Sequence, residues 1–78
     1  MIPDLPTTIG DSVECLHRGG RFRFTAIASN VWQIHRAGDM AWSAQLERHG
    51  SFYDFGSRGN GVASATGVTL PEVFTYLI

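Results

Sequence analysis

Four side chains could begin a reactive or metal-binding site: Cys15, His17, His35 and His49. Cys15 and His17 stand two residues apart, the spacing that places both on one face of a strand. A zinc site needs four N, S or O ligands, and no CxxC or HxxxH spacing supplies the rest. The face they share is the expected core face, so they read as a buried thiol beside a rim histidine. His49 falls in an expected tight turn, and His35 on the sheet face opposite Trp32. Ser12, Ser43, Ser51 and Ser57 offer hydroxyls, but none sits in a nucleophile elbow. A chain this short does not easily enclose a pocket of several hundred cubic ångströms. The expectation is a non-enzymatic protein without metal or cofactor.

Gly56-Ser-Arg-Gly-Asn-Gly has the glycine content of a phosphate-cradling loop. It lacks the Lys-Ser/Thr ending, and no helix opens directly after it. It reads instead as the start of a Gly/Ser-rich loop over 57–68. Connections of that length are uncommon in small domains and often functional, which makes Arg58 a candidate anchor.

The elements that must position these groups are legible from alternation and turn residues. Glu14–Arg18 and Arg21–Ile27 flank Gly19-Gly20, a pair suited to a two-residue hairpin that needs positive φ. That turn would set Cys15 opposite Phe24 and Val13 opposite Ala26. A helix over 12–18, capped by Asp11 and stopped by Gly19, is the competing reading. Keeping Phe22, Phe24, Trp32 and Ile34 on one face requires an odd loop near Ala28-Ser29-Asn30. Asn30 can take its left-handed position. Gly38-Asp39-Met40 can do the same for the next turn, and Trp42, Ala44 and Leu46 continue the apolar face. His49-Gly50 then closes a hairpin with Tyr53 beside Leu46 and Phe55 beside Ala44. A one-residue slip anywhere would turn the apolar set outward.

Thr69 and Glu72 have capping-box spacing, Val68 and Val73 fit a hydrophobic staple, and Pro71 is tolerated in a first turn. Leu70, Val73, Phe74 and Leu77 form one apolar stripe. So short a helix must dock on the sheet to persist. The expected fold is α+β: a four- to five-stranded antiparallel β-meander with a C-terminal helix on one face. A small curled barrel is the alternative. The expected division is an extended arm (1–10), the meander (13–56), the loop (57–68) and the helix (69–78).

The opposite face would display Arg18, Arg21, Arg23, Thr25, Gln33, His35, Ser43, Gln45 and Asp54, with Leu16, Ile27, Val31 and Phe52 among them. Arginines beside exposed apolar groups are what binding hot spots favour. The candidate contact residues are Arg18, Arg21, Arg23, Gln33, His35, Phe52 and, in the loop, Arg58.

Composition bounds what such a face could meet. With 78 residues, six arginines, no lysine and seven acidic residues, the chain is one small domain of net charge −1. That balance excludes a strongly basic nucleic-acid clamp and an acidic DNA mimic alike. The absence of lysine is most simply codon usage in a GC-rich genome; the functional alternative is recognition by planar guanidinium groups. A single cysteine allows no intrachain disulfide, which favours a reducing, cytoplasmic setting. The N-terminus has neither the basic nor the apolar region of a signal peptide.

In overall format — short, single-domain, a few strands plus a helix, without catalytic motifs — the chain resembles small phage-encoded inhibitors, including anti-CRISPR proteins. The resemblance spans the general shape of the chain and rests on no motif. It implies steric or conformational inhibition of a larger complex in the host cytoplasm. The leading expectation is therefore a module that binds a larger protein or protein complex. A nucleic-acid-binding domain using the arginine-bearing face is the second reading. A homo-oligomer or homodimer paired through an edge strand, with 13–18 and 52–56 as edges, is the third.

Overall fold

The computed structural model describes residues 4–58, with the backbone alone of Arg58, and residues 64–77. Six strands follow one another in a meander: β1 (Ser12–His17), β2 (Gly20–Ala28), β3 (Val31–Arg36), β4 (Asp39–His49), β5 (Phe52–Arg58) and β6 (Ser64–Val68). Each pairs antiparallel with its sequence neighbour, and among the described residues β1 does not pair with β6. The sheet is open, so the barrel alternative is set aside. So is a helix over 12–18, because that segment is strand β1. Among the described residues no helix is long and apolar enough to cross a membrane.

The alternation chooses the core. Phe22, Phe24, Trp32, Ile34, Trp42, Ala44, Leu46 and Phe55 are all buried, at every second position of their strands. Across this face lies the C-terminal segment, α1 (Leu70–Val73) followed by a single 3-10 turn (Phe74–Tyr76). Thr69 Oγ1 donates to Glu72 Oε1 at 3.1 Å, and Val73, Phe74 and Leu77 are buried. The Phe74 ring stacks on Phe24 with centroids 5.8 Å apart and meets His17 edge-on at 5.5 Å. Tyr76 stacks on Phe55 at 5.8 Å. One short segment thus holds β5 to the β1–β2 hairpin. The α-helix is four residues rather than the expected span of 69–78: it tightens into the 3-10 turn at Phe74 and Leu77 is extended.

The sheet corrects the sequence reading at several places. The first turn is Arg18-Gly19, not Gly19-Gly20: His17 pairs with Gly20, so Cys15 faces Phe22 and Val13 faces Phe24. Gly20 is in the strand, and glycine suits it because a Cβ there would lie 3.1 Å from Cε2 of the buried Phe22. The fourth turn is likewise shifted, with His49 opposite Phe52, Leu46 opposite Phe55 and Ala44 opposite Ser57. Both pairings differ from expectation by two residues, which leaves every side chain on its expected face.

The third correction is β6. Ser64–Val68 falls in the segment expected as loop, and Arg58 ends β5 rather than standing in that loop. Gly56 and Ser57 are also strand residues, so the expected glycine loop does not begin there; residues 59–61 lie outside the described residues. Val68 pairs with Tyr53, Ala65 with Phe55 and Ser64 with Gly56. The strand is small-residued and carries Gly67 at φ +65, whose N–H donates to Asp54 Oδ1 at 3.1 Å. The sheet edges are therefore β1 and β6, and β5 is not an edge.

The two middle turns keep the expected parity, but each is a two-residue turn beside a bulge, Ser29-Asn30 and Ala37-Gly38, so Asp39 and Met40 open β4 rather than standing in a three-residue turn. Asn30 is left-handed at φ +59, and Ile27 bulges between the Ala26–Trp32 and Ala28–Val31 pairs. Gly38 has φ +82 in the next turn. The arm preceding β1 is tied down: Gly10 N–H donates to Ala26 O at 2.8 Å, and Ala26 N–H to Asp11 O at 2.9 Å.

Candidate functional site

One face of the sheet is covered by the C-terminal segment and the arm; the other carries the candidate contact residues. Pairing sets them in rows across the strands. Glu14, Arg23, His35 and Ser43 are successive cross-strand neighbours, and the backbone of Arg58 pairs beyond Ser43. The Arg58 side chain lies outside the described residues. The adjacent row is Ser12, Thr25, Gln33, Gln45 and Gly56. Arg21 sits opposite Leu16, and Arg18 occupies the hairpin turn at φ +50. Arg21, Arg23, Gln33 and His35 thus lie close together on one face. Phe52 is at the far end, opposite His49.

Charge on this face is mixed, in a way the sequence reading did not capture. Arg23 Nη2 is 3.1 Å from Glu14 Oε2, an exposed ion pair. The assumed register put Leu16 opposite Arg23; the true turn substitutes Glu14. Near Phe52, His49 Nε2 lies 3.0 Å from Glu47 Oε1 and 3.1 Å from Asp54 Oδ2. His49 ends β4 rather than sitting in the turn, and its Nε2 lies between a carboxylate of its own strand and one of β5. Apolar groups stand exposed among these charges: Leu16 is 72% and Phe52 52% accessible.

Cys15 and His17 are on the covered face, as expected. Burial pushes the Cys15 thiol above its usual pKa. His17 Nε2 is shielded from solvent with no hydrogen-bond partner among the described residues. A raised thiol pKa reduces the thiolate needed of a nucleophile or ligand.

A concavity, absent from the sequence reading, lies at the end of the sheet under the arm. It has a volume of about 430 Å³ and is bounded by arm residues 4–7, the β2–β3 turn at 28–30, and Trp32, Arg48, Tyr53 and Leu70. Its signal was present in the alternation: Arg48 follows Trp42, Ala44 and Leu46 at core-face parity, and it pairs with Tyr53. Trp32 Nε1 donates to Pro6 O at 2.7 Å and fixes the arm over the opening.

No protein-family model matches the chain, and no curated protein or solved structure is significantly similar to it.

Proposed function

We propose that this protein is a non-enzymatic protein-binding module, an inhibitor or adaptor that acts by occupying a site on a larger assembly. The observation that carries the reading is the uncovered sheet face. There Arg21, Arg23 and His35 lie beside Glu14, with Leu16 and Phe52 exposed among the charged groups. Both signs of charge interleaved with apolar contacts complement another protein surface, where arginine and aromatic groups contribute most.

A polyanion would meet the same face less well. Glu14 engages Arg23, and Glu47 and Asp54 add negative charge on the same side. Nucleic-acid affinity at physiological salt needs an excess of unpaired cations. The third reading, self-association through a strand edge, now concerns β1 or β6.

The test is quantitative retention of proteins from a lysate of the source cells by the immobilised chain. The expected result is a discrete, near-stoichiometric partner that is lost with Arg21→Ala/Arg23→Ala and kept with a substitution on the cleft side. Retention of nucleic acid alone, falling steeply with salt, would overturn it.

A further inference from the structure

We propose that the cleft beneath the arm is a binding site for a small ligand composed of a planar apolar body and a carboxylate. The proposal is independent of the uncovered face. It starts from an anomaly in the sheet pattern. After Trp42, Ala44 and Leu46, all buried, the next core-parity position is an arginine. The C-terminal segment reaches this end of the face through Leu70, and Arg48 lines the open volume beside it.

The lining is mixed, with Asp4, Thr7, Ser29, Asn30 and Arg48 supplying polar groups, but its aromatic and aliphatic part is held in place. Trp32 is almost wholly buried and locked by its hydrogen bond to Pro6 O. Tyr53 leans against it, with centroids 6.3 Å apart and planes at 44°. Leu5 packs against the core on the arm side, and Leu70 bounds the opposite side. The volume of about 430 Å³ lies within the range of small-molecule sites.

The polar groups define the ligand's other end. Among the described residues the Arg48 guanidinium has no ion-pair partner, although Asp4 lines the same cleft. Its backbone N–H is fixed by Asn30 O at 2.8 Å, so the side chain starts from an anchored point. A planar guanidinium beside aromatic walls suits a carboxylate attached to a flat apolar body, which it can meet through two parallel hydrogen bonds.

The probes are 2-naphthoate and its neutral counterpart 2-naphthamide, titrated into isotopically labelled protein and followed by two-dimensional NMR. The Trp32 indole N–H cross-peak is the reporter. Saturable shifts are expected at that peak and at the amides of Asn30, Arg48 and Tyr53. The carboxylate should bind roughly fivefold more tightly than the amide, the size of an exposed charge-assisted contact. Arg48→Gln should abolish that preference while leaving amide binding and spectral dispersion intact, and Tyr53→Leu should weaken both probes. The absence of saturable shifts, equal affinities in the wild type, or a preference that survives in Arg48→Gln would each overturn the proposal.

Discussion

Trp32 reaches across 26 positions of sequence to donate its indole N–H to the carbonyl oxygen of Pro6, at 2.7 Å. The bond makes the N-terminal arm part of the core wall rather than an appendage. Trp32→Phe keeps an aromatic group, though a smaller one, and leaves that carbonyl without its donor. The expected cost is about 1–2 kcal/mol. Amide exchange at residues 7–10 should accelerate more than in the sheet centre, measured by hydrogen exchange.

Arg18 occupies the first hairpin turn at φ +50, with Gly19 following at φ +79. A side chain with a Cβ is strained there, while asparagine tolerates the left-handed region. Arg18→Asn should therefore stabilise the protein by up to about 1 kcal/mol, or roughly 4–8 °C in melting temperature for a domain of this size. Thermal denaturation checks it. If Arg18 is also a partner contact, the more stable variant will bind less well.

The same turn shows what the sequence could reveal and what it could not. Alternation settled which residues face the core, because a period of two fixes the face without fixing the register. Gly19-Gly20 and His49-Gly50 were each one position away from the true turns, and both errors preserved the faces. Choosing the right glycine required knowing that the Phe22 ring lies against Gly20. β6 was illegible for another reason: Ser-Ala-Thr-Gly-Val has little apolar alternation, and it is a strand because it pairs with the side of β5 that β4 leaves open. Most candidate contact residues were readable as one face. The Glu14–Arg23 pair was not, because it depends on register. Of the cleft, only Arg48 at core-face parity was readable, because the rest needs the arm's tertiary contact.

The Glu14–Arg23 ion pair is exposed on both sides, at 47% and 56% of side-chain surface. Screened by solvent, it should contribute little to folding. A double-mutant cycle with Glu14→Ala and Arg23→Ala should give a coupling below about 1 kcal/mol by chemical denaturation. Loss of partner binding in Arg23→Ala would then report recognition rather than unfolding.

Cys15 provides a pH-dependent readout. Burial raises its pKa, so the folded state disfavours the thiolate that the unfolded chain forms more easily. The associated stability is fully present below the unfolded thiol's pKa and is lost as pH rises through the folded value. Iodoacetamide should modify Cys15 more slowly in native protein than in denatured protein at the same alkaline pH. Cys15→Ser should flatten part of the alkaline loss of stability.

Phe74 joins β1 and β2 to the C-terminal segment through His17 and Phe24. Phe74→Ala should cost about 3–5 kcal/mol, a large share of the stability of so small a domain. Urea denaturation measures this directly. A much smaller loss would mean the C-terminal segment is dispensable to the core.

The central claim is that the uncovered face binds a protein and does so apart from the fold. Its most direct measurement is retention of proteins from source-cell lysate by three immobilised forms at physiological salt: wild type, Arg21→Ala/Arg23→Ala, and Arg48→Gln. Quantitative mass spectrometry of the eluates should show one discrete partner with wild type and Arg48→Gln. The Arg21→Ala/Arg23→Ala form should lose it at unchanged melting temperature. Equal retention by all three forms, or recovery of nucleic acid with no protein, would contradict the account.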